Sequence, residues 1–328
     1  MKVYHDDETS MEILKDKTIA VMGYGAQGRA QALCMRDSGL NVIIGLRPGK
    51  SFDSAIADKF EVLSVADAAE KADVIHILLP DEVQAKVYAE EIAPHIKEGN
   101  AISFSHGFNI AFKKIIPQEG VDVFMSAPKS PGTEERKRYL EGFGVPGLVA
   151  VYKDASGQAK EKGLAMAKAV GLTRAGVIEC TFEQETYEDL FGEQAVLCGG
   201  TVELIKAGFE TLTERGYPPE MAYFECLHEM KLIVDLIYEG GLSHMHSVIS
   251  NTAEYGSFSR GPRIITDQTR EEMKVILDEI ETGKFADEWL NEYNNGMPNL
   301  TKMREELANH PIEKVGKDIR AMFTKKKE

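Results

Sequence analysis

One short run constrains the fold of this chain more than any other: Gly23-Tyr24-Gly25-Ala26-Gln27-Gly28, a G-x-G-x-x-G pattern. It directly follows the apolar stretch Thr18-Ile19-Ala20-Val21-Met22 and opens a helical periodicity from about Ala26 to Ser38. Alone the pattern is weak. Between a buried strand and a helix, the three glycines serve distinct ends, namely a tight turn, close approach of backbone to a pyrophosphate, and helix–strand contact. The helix start adds unpaired N–H groups and the positive end of its dipole, both suited to phosphate.

The rest of the first half repeats this grammar. Asn41–Leu46, Glu61–Leu63, Asp73–Leu79, Ala101–Phe104, Val121–Met125 and Leu148–Tyr152 read as short strands, with helices over Ala66–Ala72 and Asp81–His95 among them. Near-continuous apolar strands separated by helices predict a parallel, doubly wound sheet covered on both faces. Beyond Cys180-Thr181-Phe182 only helical periodicity is legible: about 186–214, 219–239, 243–254, 269–282, 285–294 and 299–308. Breaks are expected at Gly216–Pro219, Gly240-Gly241, Gly261-Pro262 and Gly296–Pro298. The expected organisation is therefore an α/β dinucleotide-binding domain over residues 1–181 and an all-α domain over 182–328. The Pro219–Glu239 helix is apolar nearly all round, which predicts burial on all sides. A helical domain of this size rarely covers one helix so fully by itself, so packing against a second copy is expected.

Whole-chain properties exclude several classes. The net charge of −15 over 328 residues argues against nucleic acid, where clustered cations must neutralise phosphates. The basic run at the C-terminal end, Lys325-Lys326-Lys327, reads as a solvated tail. Cys34, Cys180, Cys198 and Cys226 show no C-x-x-C spacing and read as small apolar residues in a reducing cytosol. The first eight residues lack the apolar run of a signal peptide, and no stretch is long and apolar enough to span a bilayer. The expected location is cytoplasmic.

Candidate chemistry falls into three groups. The strand end Gly45-Leu46-Arg47-Pro48-Gly49-Lys50-Ser51-Phe52-Asp53 carries no acid where NAD binders place one, and Arg47, Lys50 and Ser51 suit a 2′-phosphate. Asp53 is a ribose candidate or simply a first-turn helix acid. On the helical half, Asp189/Glu193 and Glu225/Glu229 are i,i+4 pairs of carboxylates on apolar helices. Such pairs repel unless something positive lies between them, and an all-oxygen set favours Mg²⁺ or Mn²⁺ over zinc. The competing reading is ion pairing to Lys206, Arg215 or Lys231. His106 and Lys129 each follow a strand of the sheet, where doubly wound folds place ligand-contacting residues. His244 and His246 face apart at i,i+2 and read as structural, and His76 as packed within a strand.

Taken in order, Gly23–Gly28, Leu79–Gln84, Ser105-His106-Gly107-Phe108-Asn109, Ala127-Pro128-Lys129, Glu183–Gln194, Glu225–Glu229 and Ser250–Gly256 resemble the ketol-acid reductoisomerases of the short-chain class I form, from about residue 2 to 325. The resemblance implies a Rossmann-like domain followed by that family's knotted helical domain. It also implies conversion of 2-acetolactate or 2-aceto-2-hydroxybutyrate into a 2,3-dihydroxy acid in valine, isoleucine and leucine biosynthesis. By the same resemblance Asp189, Glu193, Glu225 and Glu229 bind two Mg²⁺ ions. Asp189 bridges them, and Glu225 and Glu229 come from the partner subunit of a homodimer or higher oligomer. His106, Lys129 and Glu193 form the catalytic set, and Ser250 touches the substrate. Gly23, Tyr24, Gly25, Ala26, Gln27, Gly28, Arg47, Ser51, Asp81, Glu82, Val83, Gln84 and Gly132 hold the cofactor.

The chain departs from the family pattern at Ser130, at His246-Ser247, and in the 47–53 loop, which keeps only Ser51 of two usual phosphate-facing hydroxyls. NADPH and NADH are therefore equal expectations. Two other readings stay open at the level of sequence: a metal-free 3-hydroxyacid-type dehydrogenase, which leaves the four helical carboxylates without a role, and a non-catalytic cofactor sensor.

Overall fold

The computed structural model describes residues 2–323; Met1 and the basic run Lys325–Lys327 lie outside the described residues. The chain divides into two compact units, Met1–Glu188 and Asp189–Glu328. The first carries β1 (Val3–Tyr4), β2 (Thr18–Met22), β3 (Asn41–Gly45), β4 (Glu61–Leu63), β5 (Val74–Ile77), β6 (Ala101–Phe104), β7 (Asp122–Pro128), β8 (Gly147–Lys153) and β9 (Val177–Cys180). Its helices are α1 (Ala26–Asp37), α2 (Lys50–Ala57), α3 (Val65–Lys71), α4 (Asp81–Val87), α5 (Phe108–Ala111), α6 (Gly132–Leu140), α7 (Ala159–Ala169) and α8 (Phe182–Phe191).

The strands form one nine-stranded sheet in the order β1-β9-β8-β7-β6-β5-β2-β3-β4. From β2 the chain winds outward through β3 and β4, then crosses back to lay β5, β6 and β7 on the other side. The reversal falls between β2 and β5, the switch point at which doubly wound sheets bind ligands. Alternate residues leave a strand on opposite faces, and each face has its own core. Ile19, Val21, Ile44, Val74 and Phe124 pack with Ala32 and Met35 of α1 and with Ala165 and Met166 of α7. Ala20, Met22, Ile75, Ile77, Ile102 and Met125 pack with Ala68 and Ala69 of α3. Each large apolar side chain so buried contributes about 1.5–3 kcal/mol.

The sheet is not wholly parallel, in contrast to the sequence expectation. β8 runs antiparallel to β7, and β1 antiparallel to β9. An apolar run reports burial on both faces and carries no information about strand direction. β1 and β9 are also absent from the sequence reading, because the first is too short and the second only partly buried.

The second unit is helical: α9 (Gly199–Glu214), α10 (Pro219–Tyr223), α11 (Met230–Val248, kinked at Gly241), α12 (Asn251–Ile264), α13 (Asp267–Glu281), α14 (Lys284–Asn294), α15 (Pro298–Asn309) and α16 (Pro311–Phe323). Its fully buried apolar cluster is small: Phe209, Ala222, Tyr223, Ile312 and Ile319. Arg320 reaches across to donate to the Tyr223 hydroxyl at 3.1 Å. Several helix expectations are corrected. The helix expected over 186–214 is interrupted by a π-helical turn at Gly192–Leu197, and that over 219–239 by another at Phe224–His228. The expected helix 243–254 breaks at Ser250, which instead caps α12. Pro262 does not end a helix: it sits inside α12 near its last turn, where it forgoes one donor while Ile265 N–H still reaches Gly261 O at 3.0 Å. The helix expected to be buried on all sides leaves Leu232 at 55%, Val234 at 50% and Tyr238 at 86% exposure within the single chain. Among the described residues, no helix is long and apolar enough to cross a membrane.

Candidate active site

The glycine-rich turn lies at the switch point because β2 ends at Met22 and α1 begins at Ala26. Gly23 has φ 108°, and a Cβ there would stand 2.6 Å from Leu78 O at the end of β5. A Cβ at Gly28 would stand 2.3 Å from Gly23 O. Both positions therefore exclude side chains. Gly25 caps α1 with no side-chain hydrogen bond, and the first turn carries no acid, so the helix start keeps its donors and dipole for an anion. Neighbouring groups fix the turn. The Tyr24 hydroxyl donates to Asp58 Oδ2 at 2.8 Å, and Arg29 grips the same carboxylate at 2.6 and 3.0 Å. Asp58 follows the last residue of α2, so the turn and α2 are tied together. Gly132 approaches so closely that a Cβ would meet Ala26 O at 2.4 Å.

Arg47, Lys50, Ser51 and Asp53 are all exposed, with Lys50, Ser51 and Asp53 in the first turn of α2. Asp81, Glu82, Val83 and Gln84 form the start of α4, just beyond β5. Gln84 is buried. Its amide donates to Leu79 O at 2.7 Å and Asp81 Oδ1 at 3.1 Å, and its oxygen accepts from Asn109 at 3.1 Å. That side chain shapes the β5–α4 turn and joins it to the α5 helix.

His106 follows β6 and Lys129 follows β7, and one carboxylate gathers both. Glu185 on α8 accepts from Lys129 Nζ at 2.8 Å, lies 3.1 Å from His106 Nδ1, and accepts the Gly107 backbone N–H at 2.9 Å. It is 1% exposed. Burial by itself pushes the Glu185 carboxyl up, but the His106 ring and the Lys129 ammonium outweigh it and hold the group at about 2. An ionised carboxylate only accepts, so His106 presents Nδ1–H to it. The result is a fixed anion flanked by an ammonium and an imidazole with an oriented proton.

Spacing alone does not single out Glu185, yet a signal is present. Glu185, Asp189 and Glu193 form an i,i+4,i+8 ladder of acids, and the pairing of Asp189 with Glu193 covers only its last two rungs. Asp189 stands one turn beyond Glu185 on the same helix, with the two carboxylates within 4.8 Å. Glu193 lies in the π-turn Gly192–Leu197, closed by Cys198 N–H to Glu193 O at 2.9 Å. Glu225 lies in the π-turn Phe224–His228, closed by Glu229 N–H to Phe224 O at 3.0 Å. π-turns are rare and concentrate at functional sites. Glu193, Glu225 and Glu229 are exposed in the single chain. Ser250 accepts Ala253 N–H at 3.2 Å as the cap of α12. His246 bonds Ser257 at 2.9 Å and stacks on Phe258 at 4.4 Å. The cysteines Cys34, Cys180, Cys198 and Cys226 are free thiols.

Comparison with known proteins sets this geometry in context. Residues 13–176 match the family model described as acetohydroxy acid isomeroreductase, NADPH-binding domain, and residues 182–325 match that of ketol-acid reductoisomerase, C-terminal domain. A ketol-acid reductoisomerase (NADP(+)) from Akkermansia muciniphila is 62% identical over 98% of this chain and 99% of its own. A ketol-acid reductoisomerase (NAD(+)) from the uncultured archaeon GZfos26G2 is 59% identical over 99% of this chain and 100% of its own. A solved NADH-preferring ketol-acid reductoisomerase from an uncultured archaean superposes with a TM-score of 0.96 at 60% identity, covering 99% of this chain and 100% of that one.

Proposed function

This chain belongs to the ketol-acid reductoisomerase family, and from that premise we propose its substrates and the residues that serve them. It is an NAD(P)H-dependent oxidoreductase with isomerase activity, of branched-chain amino-acid biosynthesis. The substrates are 2-acetolactate and 2-aceto-2-hydroxybutyrate. An alkyl group migrates between adjacent carbons, and hydride then reduces the resulting ketone to give 2,3-dihydroxy-3-methylbutanoate or 2,3-dihydroxy-3-methylpentanoate. The observation that carries this assignment is Glu185 holding His106 and Lys129 together at the ends of β6 and β7.

Asp189, Glu193, Glu225 and Glu229 make an all-oxygen donor set that suits two Mg²⁺ ions. Bound there, the metal supplies Lewis acidity toward the hydroxyl and keto oxygens of the substrate. The chain's own groups do the rest. The α1 start and the Gly23–Gly28 turn hold the pyrophosphate. Arg47, Ser51, Asp81–Gln84 and Gly132 would complete the hold on NADPH or NADH. Lys129 stabilises developing negative charge on oxygen, and His106 Nε2 is placed to hold or pass a proton. Glu193 serves both metal and proton transfer, and Ser250 contacts the substrate. Glu225 and Glu229 come from a second copy. The exposed apolar side chains Leu232, Val234 and Tyr238 support such a partner. The free thiols accord with a cytoplasmic location.

The test is 2-acetolactate-dependent oxidation of NADPH and NADH, side by side, in Mg²⁺ and in excess EDTA. Turnover abolished by EDTA is expected, and the ratio of rates gives the preferred cofactor. Turnover that persists in EDTA would sink the metal assignment. For the shared site, mixing inactive Asp189→Asn and Glu225→Gln enzymes should restore activity after subunit exchange. No rescue under proven exchange would refute sharing.

A further inference from the structure

A buried polar chain runs beneath the cofactor turn through residues with no place in the chemistry above. His76 on β5 and Ser103 on β6 are register partners, both 0% exposed, and Nδ1 of the ring lies 2.7 Å from the Ser103 hydroxyl. The other ring nitrogen, Nε2, lies 2.7 Å from Oε1 of Gln31, itself fully buried on α1. The Gln31 amide nitrogen then reaches Gln27 Oε1 at 3.2 Å and Ser105 Oγ at 3.0 Å. Each of these partners leads to the reaction site. Gln27 belongs to the glycine-rich turn and donates to Ser130 O at 2.9 Å, the residue after Lys129. Ser105 precedes His106 and donates to Ser126 O on β7 at 3.0 Å.

The shorter bonds fix one assignment of protons, in which the longer approach of Ser105 Oγ to Gln31 Oε1 at 3.2 Å carries no proton because the Ser105 hydroxyl donates to Ser126 O. Burial pushes the His76 imidazole down to about 4, so the ring is neutral and has one donor and one acceptor. Gln31 Oε1 can only accept, so the ring proton is on Nε2 and Nδ1 accepts from Ser103. The Gln31 amide spends its two N–H groups on Gln27 and Ser105, and the Ser105 hydroxyl passes to Ser126 O. A fully satisfied buried network rigidifies what it connects. Here a single carboxamide joins the cofactor turn, the loop bearing His106 and, through Gln27, the loop bearing Lys129.

We propose that Gln31, oriented by His76, is a positioning residue that sets the spacing between the bound nicotinamide and the His106 and Lys129 loops. This rests on the reaction assigned above. Hydride transfer needs its atoms about 3–3.5 Å apart, and a misplacement of about 1 Å costs on the order of 10²-fold in rate. Gln31 touches neither substrate nor cofactor. Its effect falls on kcat, while the backbone donors that bind pyrophosphate stay in place.

The decisive variant combines His76→Met, Gln31→Met and Ser103→Ala, because removing all the partners of the buried ring costs far less stability than orphaning one of them. Three quantities are measured: the melting temperature, the Kd and emission of bound NADPH or NADH fluorescence without substrate, and kcat with 2-acetolactate in Mg²⁺. The expected result is a melting temperature near that of the unaltered enzyme and a Kd within about threefold. Nicotinamide emission shifts toward that of free cofactor, and kcat falls by about tenfold or more. Unaltered kcat and emission would overturn the proposal and leave the network a packing device. If the combined variant does not fold, Ser105→Ala decides: a lowered kcat at unchanged melting temperature supports the proposal, and full kcat overturns it. Failure of the unaltered enzyme to turn over 2-acetolactate would instead refute the reaction assignment.

Discussion

The two units solve the problem of burying apolar surface in different ways. Residues 1–188 wrap a sheet whose two faces each own a continuous core. Residues 189–328 bury five side chains in their main apolar cluster and leave Leu232, Val234, Tyr238, Leu242, Val248, Tyr255 and Phe258 exposed. Single exposed apolar residues are ordinary, but several along consecutive helices fit the second copy proposed above. The lesson is that the first unit encloses its apolar side chains in two cores of its own, and the second, within the single chain, leaves a run of them exposed along two helices. Their acids differ in the same way: Glu185 is enclosed and paired within its own unit, whereas Glu225 and Glu229 are exposed.

The comparison can be broken most decisively at Glu185. Glu185→Gln removes the anion between His106 and Lys129, and turnover should fall by about 10²–10³-fold. Cofactor binding, measured by fluorescence, should be retained. A variant of undiminished rate would show that the buried anion does not organise the site. Next in size is the exposed face. With the proposed second copy on that face, Tyr238→Asp should yield a smaller species than the unaltered protein in sedimentation and lower the melting temperature. Ile116→Asp, at a residue 78% exposed in the first unit, should change stability by no more than about 0.5 kcal/mol. Equal, small effects at both positions would abolish the distinction between a finished and an unfinished surface.

The third test concerns pH and the first unit alone. Glu135 on α6 is 1% exposed, neither carboxylate oxygen is hydrogen-bonded among the described residues, and burial pushes its carboxyl up to about 8. Its folded pKa lies above its unfolded value, so folding favours the protonated form. Stability is then full at low pH and is lost as pH rises through about 8. Glu185 has the opposite sign: its folded value of about 2 gives stability that is lost as pH falls toward that value. Glu135→Gln should therefore raise the melting temperature by an amount that grows between pH 5 and pH 9. A pH-independent effect would mean that the carboxyl finds a partner or water in solution.

The smallest expected effect compares two helix caps. Ser64 caps α3 and Ser250 caps α12, each accepting the backbone N–H three residues on, at 3.1 and 3.2 Å. Alanine at either should cost about 1 kcal/mol. Ser250→Ala alone should also raise KM for 2-acetolactate. Parallel behaviour of the two variants would remove Ser250 from the substrate site.

Much of this is legible in the residues. Ile19–Met22, Val42–Ile44 and Ile102–Phe104 read as buried strands because β-branched and aromatic runs bounded by polar turns suit little else. Gly23–Gly28 locates the cofactor turn because its glycines answer to backbone contacts a few residues away. Other features are hidden for physical reasons. The direction of β8 depends on where its connection enters the sheet, which its own side chains do not encode. The π-turns at Glu193 and Glu225 insert a wider backbone turn into helices whose apolar spacing still reads as α. Pro262 reads as a helix end, but near the last turn it forfeits only one donor.

The sequence by itself determined the order of elements, the cofactor turn, the acidic helices and the family, because these rest on local spacing and on residue types with a single physical use. Tertiary structure decided which groups meet. Glu185 is one acid among several on α8 until folding seals it between His106 and Lys129. His76 is an ordinary strand residue until Gln31 and Ser103 close on its ring. The reason is common to both: desolvation and hydrogen-bond partners are supplied by segments distant in sequence, and only the folded chain brings them within about 3 Å of one another.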